Sequence, residues 1–202
     1  MVGEAVVEPP SLEKLISEFA ALPGIGHKTA RRLAYFVLSK SKDRALSLSQ
    51  SIVDACEKVK HCSLCHSFAE EDPCPICRSR TGAKTICLVE KSSDILPFEN
   101  AGIYKGLYFV LGGVLSPLDG IGPENLHISQ LVERIKSEKI EEVIFALGSS
   151  PEADSTVLLI DKLLAGVPVK RSSLARGIPM GSELEFIDEI TMLRAFESRT
   201  GI

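Results

Sequence analysis

No stretch of this 202-residue chain is long and apolar enough to span a bilayer. The longest run without a charge is the 13 residues from Gly106 to Leu118, and it carries three glycines and a proline. A spanning helix needs about 20 consecutive apolar residues. Residues Met1 to Pro10 have neither a basic cluster nor an apolar run, so they do not read as a signal peptide. The Walker A pattern G-x-x-x-x-G-K-[ST] is missing, which argues against direct ATP hydrolysis. No fixed-period repeat and no low-complexity tract occurs. These absences lead to the expectation of a soluble, cytoplasmic protein with no membrane partner. A net charge of −4 argues against bulk nucleic-acid binding.

A hydrophobic content of 45% is ample for a core. Leu12, Leu15, Ile16 and Phe19 recur at helical spacing over 11–21. Pro23-Gly24-Ile25-Gly26 stops that helix. A second is expected over 28–39, with Ala30, Leu33, Ala34 and Val37 on one face, and a third over 47–59. Beyond residue 80 the pattern changes. Short apolar runs at 85–90, 107–111 and 142–147, and a fourth at 167–170, alternate with helical stretches near 92–101, 126–138 and 152–164. Apolar strands alternating with helices predict an α/β layer with a mostly parallel sheet. A last helix is expected at 188–198.

Cys62, Cys65, Cys74 and Cys77 form a C-x2-C-x8-C-x2-C set. Two C-x-x-C pairs at short separation can aim four thiolates at one point. That is the ligand set of a closed, structural Zn(II) site, one ion per chain. Two disulfides would need an oxidising compartment, and nothing in the sequence suggests export. A redox C-x-x-C would explain one pair better than two. His61 and His66 flank the ligands and read as surface or supporting residues. Cys56 and Cys87 lie outside the set, and Cys87 reads as a buried strand residue.

The longest basic cluster lies between His27 and Arg44: Lys28, Arg31, Arg32, Lys40, Lys42 and Arg44 against the single acid Asp43. A solvated helix face would look the same, but the cluster follows Leu22-Pro23-Gly24-Ile25-Gly26-His27-Lys28. Gly24 and Gly26 would let a phosphate approach the backbone closely. The helix that follows would offer it free N–H groups and the positive end of a dipole. Lys28 and Arg32 are one turn apart and could flank the anion, with Arg31 beside them. This is the sequence form of a helix-hairpin-helix that holds the DNA backbone without reading bases. A plain αα-hairpin turned by its glycines is the alternative.

Glu90 ends the first expected strand, and Glu152-Ala153-Asp154 follows the third. Strand carboxyl ends gather at one edge of a parallel sheet. These acids, with Asp94 one turn past Glu90, could meet there as oxygen ligands for Mg(II). Equally, Glu152 and Asp154 could merely occupy the first turn of a helix, where carboxylates suit the dipole.

Taken together, these pieces resemble the RecR family of bacterial recombination mediators. The resemblance rests on residues 22–34, the cysteine set, residues 108–123 and residues 177–189, in that order, and covers nearly the whole chain. It implies a multi-part fold: a helix-hairpin-helix region (1–55), a four-cysteine zinc knuckle (56–80), a Toprim α/β domain (81–170) and a C-terminal segment of loop plus helix that makes oligomer contacts (171–202). It implies a ring-like homotetramer able to encircle DNA, working with RecO and RecF to load recombinase onto gapped DNA. Lys28 and Arg32 fall on the family's DNA-contact positions, the four cysteines on its zinc ligands, and Glu90, Asp94, Glu152 and Asp154 on Toprim acids implicated in RecO contact.

Three departures stand out. Gly148 to Thr156 replaces a usual Asn-Pro-Thr-Val-Glu-Gly-Glu-Ala-Thr, keeping the acids but not the Asn or the inner Gly. Ser172-Ser173 replaces Ser-Arg, and Gly181-Ser182 replaces Gly-Gly. The rival reading is a Mg-dependent Toprim nuclease. A topoisomerase would need a nucleophilic tyrosine held by a separate domain, and this chain offers only Tyr35, Tyr104 and Tyr108. A non-catalytic DNA-binding mediator is therefore the expectation.

Overall fold

The computed structural model describes residues 8–199. Two compact units divide the chain, one ending at Val59 and the other starting at Lys60.

The first unit contains three helices. Proline at the first helical position opens α1 (Pro10–Ala20), where a missing N–H costs nothing. The turn that follows places Gly24 at φ 77°, a left-handed conformation that a side chain would strain. The next helix, α2 (His27–Leu38), buries Ala30 and Ala34 against Leu12 and Ile16. Alanines at that seam let the two backbones approach closely. The third helix, α3 (Lys42–Lys58), starts five residues earlier than its apolar periodicity suggests. Ser41 caps it, its hydroxyl accepting from Arg44 N at 3.4 Å. None of its residues is fully buried.

The second unit opens with the cysteine knuckle. Strands β1 (Lys60–His61) and β2 (Phe68–Ala69) pair antiparallel, and the short helix α4 (Pro75–Ser79) follows. The sheet strands and their helices then alternate: β3 (Thr85–Val89), α5 (Ile95–Ala101), β4 (Leu107–Val110), α6 (Ile128–Ser137), β5 (Glu142–Ala146), α7 (Pro151–Leu163) and β6 (Lys170–Ser173). The sheet order is β4-β3-β5-β6 and every pairing is parallel. Period-two alternation sorts the strand residues onto two faces. Ile86, Leu88, Leu107, Phe109, Val143 and Phe145 pack under α6 and α7. Cys87, Val89, Tyr108 and Val110 pack against Ile95 and Phe98 of α5. Covered on both sides, β3 from Ile86 to Val89 and the whole of β4 are buried, as a doubly flanked parallel sheet requires. A final helix, α8 (Glu189–Glu197), starts at an Asp188 cap.

The fourth strand departs from expectation. It occupies Lys170–Ser173, not 167–170. Pro168 has no N–H to give a ladder, and Val169 N turns back onto Val167 O at 2.8 Å, so pairing starts only at Lys170. As an edge strand it is polar, and apolar patterning passes over it.

Candidate nucleic-acid interface and metal centre

The four sulfurs of Cys62, Cys65, Cys74 and Cys77 lie within 4.8 Å of one another, and all four residues are buried. Cys65 Sγ and Cys74 Sγ are 3.6 Å apart. That is far beyond a disulfide bond and close to the edge of about 3.8 Å implied by tetrahedral Zn–S bonds of about 2.3 Å. The site is built locally. His66, at φ 59°, lets the chain turn after the first pair, and its N–H donates to Cys62 O at 2.9 Å. Asp72 Oδ1 accepts from Ser63 N at 2.7 Å and ties the second half to the first. Cys74 N donates to Cys62 Sγ, Cys77 N to Cys74 Sγ, and the Ser67 hydroxyl lies 3.0 Å from Cys65 Sγ. Such bonds favour thiolates. The metal-free set cannot hold four of them: Cys77, hydrogen-bonded to Cys65 and desolvated, is pushed far above an ordinary thiol, while Cys65, bonded by Cys77, is pulled well below one. A divalent soft cation resolves that conflict, and an all-sulfur shell with no carboxylate selects zinc over Mg(II) or Ca(II). Bound zinc would cross-link the two pairs and supply no reaction, since no ligand position stays open.

The knuckle is docked on the sheet. Cys65 O accepts from Val110 N at 2.8 Å, extending the edge of β4. Phe68 N donates to Ser92 Oγ at 3.1 Å. Arg80 bridges to Glu99 Oε2 at 2.6 Å and to Gly106 O at 3.0 Å. Cys87 sits apart in the sheet, where burial pushes its thiol up to about 12, and Cys56 is exposed on α3.

In the first unit, Gly26 caps α2 with no side chain, so no side-chain group satisfies the helix's opening amides. A side chain at Gly24 or Gly26 would meet nothing within 4 Å, so the turn is open to an approaching group. Lys28, Arg31 and Arg32 are all exposed. They are not equivalent. Arg31 Nε pairs with Glu8 Oε1 at 3.1 Å, whereas among the described residues Lys28 and Arg32 make no ion pair. Within the expected trio, then, Arg31 is engaged, and Lys28 and Arg32 are unpaired among the described residues.

The acidic edge also differs from the simplest expectation. Glu90 directly follows β3, and Glu152 and Asp154 lie in the first turn of α7, capped by Ser150 Oγ accepting from Ala153 N. The altered 148–156 loop thus becomes a serine-capped, proline-started helix. Glu90 reaches the loop after β5, with Oε2 4.0 Å from where a Cβ on Gly148 would lie. Among the described residues the four acids do not form a group that could hold a metal ion. Among the described residues, the four cysteines are the one set of three or more such ligand groups placed to hold a metal ion. Glu90 pairs with Lys91 Nζ at 3.3 Å, and Asp94 Oδ2 accepts from Lys91 N at 2.8 Å. Asp154 is bound on both oxygens, by Arg176 Nη1 at 2.5 Å and Arg194 Nη2 at 2.7 Å. The Arg176 guanidinium, then that of Arg194, holds its carboxyl below the usual range. These two arginines were invisible to sequence reading, because they lie 22 and 40 positions from their partner.

Comparison with known proteins agrees with this arrangement. A family model described as RecR, helix-hairpin-helix matches residues 12–56. The RecR zinc finger domain, of the four-cysteine type, matches 59–79, Toprim domain 84–173, and RecR, C-terminal 177–200. The chain is 46% identical over 192 residues to recombination protein RecR of Desulfatibacillum aliphaticivorans, covering 95% of this chain and 96% of that protein. It is 46% identical over 197 residues to recombination protein RecR of Chloroherpeton thalassium, covering 94% and 96%. With that of Chlorobium luteolum the identity is 46% over 198 residues, covering 95% and 97%. The chain belongs to the RecR family of recombination proteins.

Proposed function

We propose, from that membership and the geometry of the hairpin, that the chain is a DNA-binding recombination mediator without catalytic activity. It acts as a clamp that works with RecO and RecF to load recombinase onto gapped DNA. The observation that carries the reading is the α2 N-terminus, uncapped by any side chain, open at Gly24 and Gly26, and flanked by the exposed cations Lys28 and Arg32, which make no ion pair among the described residues. Such a site suits a phosphate and reads no base. A closed ring of four copies would multiply these weak contacts and retain DNA by topology. The exposed apolar side chains of α3 (Leu46, Ile52, Val53) and of α8 (Ile190, Leu193, Phe196) support association with further copies. Zinc holds the knuckle in shape, and the acidic edge at Glu90, Asp94, Glu152 and Asp154 is assigned to partner contact. No observation favours Mg-dependent cleavage, since among the described residues the acids form no metal-holding group and Asp154 is paired with two arginines.

Binding of duplex and gapped DNA across a salt series, with Mg(II) present and products run on a gel, tests the reading. Binding should weaken steeply with salt. The Lys28→Ala/Arg32→Ala variant should lose affinity and flatten the slope by about 0.9 per lost phosphate contact on duplex. An unchanged slope would remove the hairpin from the interface. Mg(II)-dependent cutting that vanishes in Glu90→Gln would make the protein a nuclease.

A further inference from the structure

Residues 174–199 cross the carboxyl edge of the sheet as a strap that ends in α8. None of them is fully buried, and none belongs to an apolar core cluster or packs against one. Most of their larger apolar side chains are exposed, Phe186 at 77% and Phe196 at 67%, while Ile187 and Met192 are half-buried. Between the strap and the sheet unit lie two open clefts of about 700 Å³ and 500 Å³, which meet at Arg176 and Arg194. No side chain of the segment is therefore anchored in an apolar core. A nine-residue helix is also too short to persist by itself, since isolated helices below about 12 residues are marginal in water.

What does hold it is a small set of polar contacts. Leu174 N donates to Phe145 O at 3.1 Å and continues the line of β6. Every other hydrogen bond from the strap to the rest of the unit, among the described residues, comes from two guanidinium groups. Arg176 donates to Asp154 Oδ1 and to Gly148 O at 3.2 Å, and Arg194 donates to Asp154 Oδ2. One arginine precedes α8 and the other lies within it, so a single carboxylate pins both ends of the strap's fold. The Ser198 hydroxyl closes the loop by donating to Arg176 O at 3.3 Å.

We infer that Asp154 anchors a two-arginine latch that holds the C-terminal strap on the acidic edge of the sheet, so that a cation or a basic partner group reaches this carboxylate only by displacing the strap. Both oxygens are already taken by charge-assisted bonds, the strongest class of hydrogen bond in the region. A competing ligand has to match two of them. The latch thus couples the state of the acidic edge to the order of α8 and of the apolar face that α8 carries. These contacts do not depend on DNA binding.

Hydrogen exchange read by mass spectrometry on the full-length protein tests it, comparing wild type, Asp154→Asn, Arg176→Ala/Arg194→Ala and the triple variant. In both the single and the double variant, peptides from 188–198 should exchange roughly tenfold faster or more. The β3 and β5 peptides should stay as in wild type. Because the groups act as one unit, the triple variant should be no faster than the double. The arginine variant alters only the strap, so it remains informative if Asp154→Asn disturbs α7. Wild-type exchange of α8 in the double variant would overturn the inference, and so would additive effects in the triple variant.

Discussion

Arg134 and Leu64 lie 70 positions apart, and the guanidinium Nη1 of the first donates to the carbonyl oxygen of the second at 2.7 Å. The same nitrogen lies 3.2 Å from Tyr108 O, and Nε bonds Glu138 Oε1 at 3.0 Å. One nearly buried cation on α6 therefore ties the knuckle loop to the edge strand of the sheet. With the Val110 N to Cys65 O bond, it covers an edge that would otherwise offer unpaired backbone groups. The zinc module is in this sense part of the sheet unit, even though its ligands are all local.

Arg134→Ala should cost about 2–3 kcal/mol, because it leaves two carbonyls without their charged donor in a dry setting. For a unit of this size that lowers the melting temperature by roughly 5–10 °C. Arg134→Lys should recover only part, since an ammonium cannot reproduce the planar fork. Differential scanning calorimetry on zinc-loaded protein measures both. A melting temperature unchanged in Arg134→Ala would show that the docking is carried by the backbone bond alone.

Zinc removal should melt the knuckle and spare the sheet. With the metal chelated, exchange should rise across residues 60–81 and at Val110, whose N–H bonds Cys65, while the central β3 and β5 amides keep their protection. Serine at Cys62, Cys65, Cys74 or Cys77 should lower zinc content in elemental analysis. Serine at Cys56 or Cys87 should leave one ion per chain. Loss of zinc from Cys87→Ser would mean that the buried strand cysteine takes part in the site after all.

The three hairpin cations should separate. Arg31→Ala should weaken DNA binding less than Lys28→Ala or Arg32→Ala, because Arg31 already pairs with Glu8. Glu8→Gln should tighten binding, by no more than about fivefold, the worth of a surface ion pair. Fluorescence anisotropy at fixed salt ranks the four variants. Equal losses from all three cations would show that the Glu8 contact gives way on binding.

What could be read in the sequence was local. The cysteine ligands fall within 16 positions, and the hairpin's glycines adjoin its cations, so spacing alone placed them. The central strands announced themselves because burial on both faces demands continuous apolar residues. The polar edge strand at Lys170–Ser173 carried no such signal, and the early start of α3 lay in a single capping serine, Ser41, ahead of its first apolar residue. The contacts of Asp154 with its two arginines, and of Arg134 with Tyr108 and Leu64, span 22 to 70 positions and obey no local period. Topology puts Glu90 just after β3 and Glu152 and Asp154 just after β5. Whether they faced a cation or an arginine depended on a segment whose path no pattern describes.

The latch at Asp154 should be acid-labile in a defined window. The Arg176 guanidinium, then Arg194, holds the docked carboxyl below its usual value near 4. When the strap lifts, the carboxyl returns to that ordinary value and binds a proton more readily than the docked form does. The latch's contribution is therefore fully present above about pH 4 and constant to neutrality. It is lost as pH falls through the depressed docked value. Asp154 is 37% exposed, so the effect is a modest one, screened by solvent. The knuckle thiolates also bind protons in acid, so the useful quantity is a difference: the protection of 188–198 in wild type less that in Asp154→Asn. That difference should be level from about pH 8 to pH 5 and shrink below about pH 4. A difference that already decays between about pH 7 and pH 6 would point to a histidine in control of the strap, and one that survives at about pH 2 would show that the carboxylate's charge is not what holds it.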